Sequence, residues 1–392
     1  MKKSVLMILI ICILIIGTGI TLSVFHYIGF EKISAYFSAI VFSDNFDDKK
    51  PLSTKNYDIL DDNEKKAYIC IFNNIEKHPE YIKIPKLTQA EFNNVYFAVK
   101  NDNPDMLCFS DSCNMITFLS SCFLQMHYDY PKDICATMTE VLDSKVKMIM
   151  NNIDTSDEYT AELAIHDYII KNCTYTENAK NASNSYGCLV DGEAVCSGYS
   201  RAAMLLLSKA GIESVLVGGT GVTSDQKVIS HMWNIVWINN SPYHMDVTWD
   251  DPGSANNSVS HMFFNLTTEQ ISADHKDMTM TVECMATDAN YFVKENILYT
   301  EYNSIILKDI MTKLCKNIDN GINYLELKFT DTASYNSAVN SIIDNSKSGS
   351  DMYKIIKYVS ENAENKVDIS HINFVQEPEK KYIRLMFDEI KK

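Results

Sequence analysis

The sequence lacks the basic surface that nucleic-acid binding requires. Its 392 residues include 35 Lys+Arg against 51 Asp+Glu, which gives a formal net charge of −16 at pH 7. No run of basic residues follows Lys2 and Lys3. Because binding to nucleic acid rests on Lys and Arg side chains that neutralise phosphates, the acidic balance excludes nucleic acid from the expected partners.

Metal-binding motifs are missing as well. The eleven cysteines do not form paired CxxC units, so a tetrahedral zinc site has no support. No Asp-x-Asp-x-Asn loop of EF-hand type occurs, and we expect neither a metal site nor a cofactor. Cysteine pairing stays open. Pairs such as Cys108 with Cys113 or Cys122 could be bridged in an oxidising compartment, but spacing alone does not fix them.

Formal charge is absent from a long stretch near the N-terminus. Residues 4–25 carry no charged side chain and are rich in Leu, Ile and Val. A helix of that length measures about 33 Å, enough to cross a bilayer core of about 30 Å. With Lys2 and Lys3 on the cytoplasmic side, we expect a membrane anchor and an extracytoplasmic chain. A signal peptide cleaved near Gly17 and Gly19 would instead give a secreted protein.

The overall composition is that of a globular protein, with 46% hydrophobic and 22% charged residues. The length predicts two or three domains, and the expected fold class is α+β. Shifts in pattern predict five segments: an anchor or signal segment at 1–30, a polar linker at 31–56, an N-terminal α/β domain at 57–130, a central domain at 131–275, and a C-terminal α/β domain at 280–392 without an evident chemical motif.

Hydrophobic periodicity and capping signals predict the main elements. A capping box that begins at Thr88 is one of the clearest of these signals. Helices are expected at 61–77, 88–103, 131–153, 156–172, 201–210, 335–344 and 352–361. Strands are expected within 115–130 and at 231–238, 243–249, 323–330, 367–374 and 381–387.

The central domain contains a candidate thiol nucleophile. Cys196 directly precedes a strong helical pattern that Gly211 ends. The unpaired amides and the dipole at a helix N-terminus favour a thiolate and could also bind an oxyanion. His231, on a predicted strand, is the candidate acid/base, and the following hairpin brings Asp246 towards its ring to fix the tautomer. Taken singly, each residue is more typical of core packing or capping.

Other residues of the central domain have competing interpretations. His244 lies on the same side as Asp246 and is a rival base, and together with His231 and Asp246 it would suit a metal hydrolase. His166 is interpreted as a packing histidine of its helix. The three tryptophans, at positions 233, 237 and 249, are expected mainly in the core, with one walling the site.

Three ordered segments resemble the core motifs of the transglutaminase-like superfamily: 195–199 around Cys196, 231–234 beginning at His231, and 243–252 around Asp246. Residues 261–265 resemble a strand that often follows in bacterial members, and the similarity extends over about 155–270. It implies a papain-like α+β core with Cys196 as nucleophile, His231 as acid/base and Asp246 as orienting residue. Tyr186 matches a position that helps to bind the oxyanion in similar sequences.

The resemblance implies a cell-surface cysteine enzyme, either an acyltransferase or a protease or deamidase, which needs no cofactor. Its substrates would be protein or peptide amides, and its candidate partners are cell-wall or cell-surface proteins. The alternative function is a catalytically inactive surface binding or scaffolding module, since the flanking domains make up close to half of the chain.

Overall fold

A computed structural model of the chain describes residues 45–110, 112–118, 121–223, 225–253, 259–280, 282–343 and 349–388. The predicted membrane segment at 4–25 and residues 31–44 of the predicted linker lie outside these ranges. Within them, no helix is both long enough and apolar enough to cross a bilayer. The described chain is a mixture of helices and antiparallel or mixed sheets, so the predicted α+β class is confirmed.

The first hydrophobic core is built from residues 60–126. Both of its longer helices begin with a capping box, in which Asp61 pairs with Glu64 and Thr88 pairs with Glu91. They pack on a three-stranded antiparallel sheet of order β1-β3-β2. The elements are α1 (Lys55–Asp58), α2 (Asp62–Phe72), β1 (Tyr81–Ile84), α3 (Gln89–Asp102), β2 (Asn114–Phe118) and β3 (Ser121–Gln125).

The described part of the predicted linker, residues 45–56, packs on this first core. The ring of Phe46 lies 5.4 Å from the rings of Tyr57 and Phe72. The buried carboxylate of Asp102 accepts hydrogen bonds from the Asn56 side chain and from the Tyr57 backbone. An aromatic anchor and a buried polar contact therefore hold this segment on the domain surface.

The second core includes most of the central domain and carries the candidate site. Its four-stranded antiparallel sheet has the order β8-β7-β6-β9, and α6 packs against β6 and β7. A π-helix at Gly187–Asp191 precedes α6. The elements are α4 (Lys132–Met150), α5 (Glu158–Asn172), β4 (Thr174–Tyr175), β5 (Glu193–Ala194), α6 (Cys196–Lys209), β6 (Ser214–Val222), β7 (Val228–Ile238), β8 (Ser241–Met245), α7 (Thr268–Ile271) and β9 (His275–Lys276).

The third core is C-terminal, and a mixed sheet of order β10-β11-β13-β12 forms its base. Its longest helix, α9, begins at the side-chain cap of Asn303 and was not among the predicted elements. The elements are α8 (Tyr291–Lys294), β10 (Leu298–Tyr299), α9 (Ser304–Asp319), β11 (Tyr324–Phe329), α10 (Thr332–Ile342), α11 (Asp351–Asn362), β12 (Asp368–Glu377) and β13 (Tyr382–Asp388).

Besides the unpredicted helix α9, two further details differ from the sequence-based expectations. In the described chain a disulfide joins Cys108 to Cys135 of α4, both of them in the second core, instead of joining Cys108 to Cys113 or Cys122. The segment 261–265, expected to be a strand, is a turn. Its backbone reaches positive φ at Asn265, and the Phe263 N–H donates to the Asp250 carboxylate, which takes the place of a strand partner.

Candidate active site

The candidate nucleophile lies at the first position of a long helix. Cys196 begins α6, and Val195 before it is extended, with φ −100° and ψ 178°. The sulfur is a free thiol on a half-buried residue. A Cβ atom at Gly198 would lie 2.3 Å from the carbonyl oxygen of Ala182, so only glycine fits where this first turn meets the preceding loop. The predicted placement of Cys196 at a helix N-terminus is confirmed.

Polar contacts fix this helix against the strand that carries the histidine. The hydroxyl oxygen of Ser200 lies 2.9 Å from the carbonyl oxygen of Met232. The side chain of Asn234 donates to the carbonyl oxygen of Ser200 at 3.1 Å. Both bonds are buried or partly buried, and they set the start of α6 beside β7, where His231 lies.

A tight hairpin brings the carboxylate to the histidine. Asn239 and Asn240 have φ values of 51° and 64°, the conformation of a two-residue hairpin loop between β7 and β8. The register of the hairpin pairs Asn234 with Met245, so Asp246 lies just beyond the end of β8. There its Oδ2 is 2.6 Å from Nε2 of His231.

The buried pair shifts the pKa values of both partners. Burial alone would raise the pKa of Asp246, but His231 and His275 hold it well below its usual range. The other oxygen, Oδ1, accepts the backbone N–H groups of Thr248 and Trp249. Burial alone would lower the pKa of His231. The Asp246 charge and hydrogen bond, together with a side-chain hydrogen bond to Cys196, instead raise that pKa to about 10.

The two nitrogens of the His231 ring therefore have different partners. Nε2 is taken by Asp246, which leaves Nδ1 for the sulfur of Cys196. The raised pKa favours the imidazolium form of His231 at neutral pH, and an imidazolium beside a thiol supplies the positive charge that a thiolate needs. The three residues thus form an ordered series of sulfur, imidazole and carboxylate.

Three further aromatic side chains surround the series. The indoles of Trp249 and Trp233 both stack on the His231 ring, at centroid distances of 5.0 and 5.9 Å. Tyr175, which is exposed, lies close enough to Cys196 for the sulfur to influence its pKa, although burial is the larger cause of the upward shift. Of the three tryptophans, half-buried Trp249 is the one that walls the site, while Trp237 packs beside Lys55.

A fourth polar residue of the site, His275, was not predicted. Its Nε2 lies 3.0 Å from the same Asp246 oxygen that pairs with His231. It comes from the two-residue strand β9, 29 residues beyond Asp246, and reaches the site only through the pairing of β9 with β6. No local motif marks His275 in the sequence, since a strand of this length has no periodicity.

The other candidate residues lie away from the triad. The two ring nitrogens of His244 contact the indole N–H of Trp233 and the hydroxyl of Thr268, not Asp246, and burial lowers the pKa of this ring to about 4. His166 is buried in α5, paired with Asp167 and Asp250. Tyr186 is half-buried against the core of the domain, and its part in oxyanion binding stays a prediction.

Two groups of side chains could be considered as metal ligands: His231 with Asp246 and His275, and His166 with Asp167 and His261. In the first, 2.6 Å between Nε2 and Oδ2 is shorter than the roughly 3.3 Å that separates two ligands of a tetrahedral zinc ion. The second group also contacts Asp250 and Glu326. Together with Asp167 these make three carboxylates, and their charge is balanced by Arg384 and by the rings of His166 and His261 once both rings are protonated. Hydrogen bonds account for both groups.

A comparison with protein families finds one family model that matches part of the central domain. The family model described as "Transglutaminase-like superfamily" matches residues 147–247, which include Cys196, His231 and Asp246. The chain contains a transglutaminase-like superfamily domain. The resemblance seen in the sequence is thus confirmed for the central part of the chain. No curated protein matches the sequence.

Solved structures similar to the chain include one described as that of a TGase, with 12% identity, a TM-score of 0.26, and coverage of 45% of this chain and 52% of that one. This chain thus spans about half the length of that TGase. A "Putative Cysteine Protease from Cytophaga hutchinsonii" has 12% identity, a TM-score of 0.24 and coverage of 46% and 80%. A "putative protease" from Parabacteroides distasonis has 10% identity, a TM-score of 0.20 and coverage of 38% and 36%.

In this transglutaminase-like domain, the first turn of α6 and the hairpin β7–β8 supply the predicted residues, and β9 adds His275. A cavity of about 330 Å³ lies elsewhere, around the disulfide, and is lined by His78, Tyr128 and Lys132 among others. The candidate residues Cys196, His231 and Asp246 lie at the junction of helix and sheet, and none of them lines this cavity.

Proposed function

We propose that the protein is a transglutaminase-like cysteine enzyme that transfers the acyl group of a peptide or glutamine amide through a thioester. The observation that carries the proposal is the 2.6 Å hydrogen bond between His231 Nε2 and Asp246 Oδ2, on a ring whose pKa is raised by Asp246 and by the neighbouring free thiol of Cys196. That series of contacts matches the requirements of an activated nucleophile.

In the first half of the reaction, the Cys196 sulfur attacks the amide carbonyl carbon and forms a C–S bond. The tetrahedral oxyanion would face the first amides of α6, which an α-helix leaves without intrahelical partners. Collapse breaks the C–N bond, and the proton held on Nδ1 of His231 passes to the leaving nitrogen. The products are a thioester and ammonia or an amine.

In the second half, His231 takes a proton from the acceptor as the acceptor attacks the thioester carbon. The C–S bond breaks, and the sulfur leaves as a thiolate beside the newly protonated ring. An amine acceptor gives a transamidated product, whereas water gives deamidation or peptide cleavage. Asp246 stays ionised throughout, because its role is to hold the ring and to stabilise the imidazolium.

The neighbouring aromatic groups support acyl transfer in a partly dry site. Trp249 covers one face of the His231 ring and Trp233 lies beside it. A site with less water strengthens the electrostatic contacts of the triad. On the sequence argument, we also propose that residues 4–25 anchor the enzyme in a membrane, or are cleaved from a secreted form, and that its substrates are cell-surface or cell-wall proteins.

The test is mass spectrometry of a glutamine-containing protein incubated with the chain, with and without a small primary amine. A mass gain equal to the amine less ammonia indicates transfer, a gain of about one dalton indicates deamidation, and new termini indicate proteolysis. Cys196→Ser, which keeps the size of the side chain, is the matched control and is expected to abolish each product. Unchanged substrate with an unreactive Cys196 would instead support the scaffolding function.

A further inference from the structure

We propose that His275 is a positioning residue for the triad carboxylate, and that the C-terminal domain holds it in place through Asp274 and Lys380. The proposal rests on the proposed function, because it assigns an outer partner to the same site. It adds His275 to the three motif residues. It also means that Lys380 of the C-terminal domain influences the site of the central domain.

The contact between His275 and the triad is direct. Oδ2 of Asp246 receives His231 Nε2 at 2.6 Å and His275 Nε2 at 3.0 Å, and all three side chains are buried. With the two backbone N–H groups on Oδ1, the carboxylate is held from four directions. His275 therefore limits the rotation of Asp246 about its last bond, and so fixes the oxygen that orients His231.

Core packing alone does not explain a histidine at this position. The ring lies among Trp233, Trp249 and Phe263, with centroid distances of 4.7, 4.4 and 5.7 Å. An apolar side chain would pack well in these surroundings. Instead, both ring nitrogens face carboxylates, since Nδ1 lies 2.8 Å from Oδ1 of Asp274. A ring that donates from both nitrogens is an imidazolium.

The backbone around His275 is shaped for close approach. β9 pairs with β6 so that Gly221 is opposite His275. A Cβ atom at Gly219 would lie 2.5 Å from the carbonyl oxygen of Lys276, and one at Gly221 would lie 2.6 Å from the Trp249 indole. Two glycines in one strand thus allow β9 and the indole to lie close to the triad.

The C-terminal domain contributes the last member of the series. Nζ of Lys380, in the turn between β12 and β13, lies 2.5 Å from Oδ2 of Asp274. The same ammonium lies 4.5 Å from the ring centroid of Phe263. Lys380 is less than one-fifth exposed, so this ion pair is largely protected from solvent. It fixes Asp274, which in turn fixes the Nδ1 side of His275.

The charges of these groups have opposing effects on His231. Asp246 raises the pKa of His231, whereas a cationic His275 opposes the protonation of the neighbouring ring. The other titratable groups that face His275 are Asp274 and His244. Replacement of His275 by an apolar side chain should therefore raise the pKa of His231 and also free the Asp246 carboxylate.

The experiment compares His275→Leu, His275→Gln and Lys380→Met with the wild type. Lys381→Met is the matched control, because it removes the same charge from the same turn without a bond to Asp274. Three quantities are measured: kcat and KM for acyl transfer, the pH dependence of Cys196 alkylation, and the NMR titration of the His231 ring.

We expect His275→Leu to lower kcat by about 10- to 100-fold, the usual effect of losing an outer hydrogen-bond partner of a functional residue, with KM unchanged. The His231 titration and the alkaline limb of the alkylation profile should both move to higher pH. His275→Gln should recover much of kcat, because its amide can donate to Asp246, but the titration should stay shifted because the cation is gone. Lys380→Met should have a smaller effect, and Lys381→Met none.

Wild-type kcat and an unmoved His231 titration in His275→Leu would overturn the proposal. So would equal losses in Lys380→Met and Lys381→Met. The NMR titration needs no turnover, and it therefore separates the two claims. If wild-type Cys196 is inert while the His231 titration still responds to His275→Leu, the proposed function fails but the contact stands. If Cys196 is reactive and the titration does not respond, only the role of His275 fails.

Discussion

In the described part of the chain, two places hold one carboxylate oxygen between two buried imidazole rings, and one of these places neighbours a free thiol. In the first, Oδ2 of Asp246 lies between His231 and His275. In the second, Oδ1 of Asp167 lies between His166 and His261. In both places the shared oxygen contacts one nitrogen of each ring. The chemical difference must therefore come from the contacts of the other nitrogen of each ring, here called the outer nitrogen.

In the second group every outer nitrogen ends on a carboxylate. Nε2 of His166 lies 3.2 Å from Asp250, and Nδ1 of His261 lies 2.6 Å from Glu326 of β11. Glu326 also accepts from the hydroxyl of Tyr382, so the group connects the central domain to the C-terminal sheet. With no nitrogen left for a substrate, we interpret it as a structural ion-pair network.

In the first group one outer nitrogen remains for a reacting atom. His231 uses Nε2 for Asp246, so Nδ1 is the nitrogen that remains for the neighbouring free thiol of Cys196, which lies at a half-buried helix start. The comparison shows that a buried His–Asp pair is not by itself evidence of catalysis. In the proposed function, the feature that distinguishes the first group is an imidazole nitrogen that remains for the thiol of Cys196.

Removal of the sulfur should have the largest effect on this comparison. Cys196→Ala should lower acyl-transfer kcat by about 10⁴-fold or more, because the nucleophile is lost. The free energy of unfolding should change little, since the residue lies on the edge of the core. Steady-state kinetics measures the loss of kcat, and urea denaturation measures the free energy of unfolding. Activity retained in Cys196→Ala would show that the sulfur takes no part.

The second group should respond in the opposite way. His261→Leu leaves Glu326 and Asp167 without their shared partner, and loss of one member of a buried ion pair costs about 3–5 kcal/mol of stability. The kcat of the folded fraction should stay near that of the wild type. Urea denaturation together with kinetics at low temperature tests this. A large loss of kcat without a loss of stability would place His261 in the chemistry after all.

Replacement of the shared carboxylate, Asp246 in the first group and Asp167 in the second, should change the pH dependence of the rate only in the first group. Asp246→Asn removes the negative charge that raises the pKa of His231, so the ring should lose its proton at a pH well below 10. We expect the alkaline limb of the rate profile to move to lower pH and kcat to fall by about 10²- to 10⁴-fold. Asp167→Asn is the matched control and should leave the limb in place. An equal shift in both variants would contradict the distinction.

The smallest expected effect is a gradual pH dependence of stability. The pKa values of His231 and His261 are raised to about 10, with burial opposing and neighbouring carboxylates causing the shift. A raised folded-state pKa contributes stability that is complete below the unfolded value of about 6.5 and is lost as pH rises towards 10. The Tm should therefore fall between pH 7 and 10, and fall less steeply in His261→Leu. A Tm that rises with pH in this range would contradict the charge assignment.

The sequence predicted the triad because its three residues lie on elements with strong local signals. Cys196 stands before an apolar helix, and the turn signal at residues 239–242 predicted that the strands of His231 and Asp246 form a hairpin, while its register came from the structure. The helix over 89–102 and the strand over 324–329 follow from capping and alternation in the same way. In each case the information lies within a few residues of the element itself.

The remaining features depend on contacts that are distant in sequence. His275 joins the site through a two-residue edge strand, and Lys380 reaches it from a turn 106 residues beyond Asp274. The segment 261–265 was wrongly predicted as a strand, because the side chain of Asp250 takes the Phe263 amide that a strand would pair. Such tertiary bonds leave no periodic signal, and sequence reasoning had no means of detecting them.

The most direct test of the central claim is site-resolved alkylation of the cysteines by iodoacetamide at neutral pH, in the wild type and in His231→Gln. A thiol activated by the imidazolium of His231 should be modified at Cys196 well before the seven other cysteines of the described chain that lie outside its disulfide, and this advantage should disappear in His231→Gln. Alkylation of Cys196 at the rate of an ordinary free thiol, unchanged in the variant, would contradict the account.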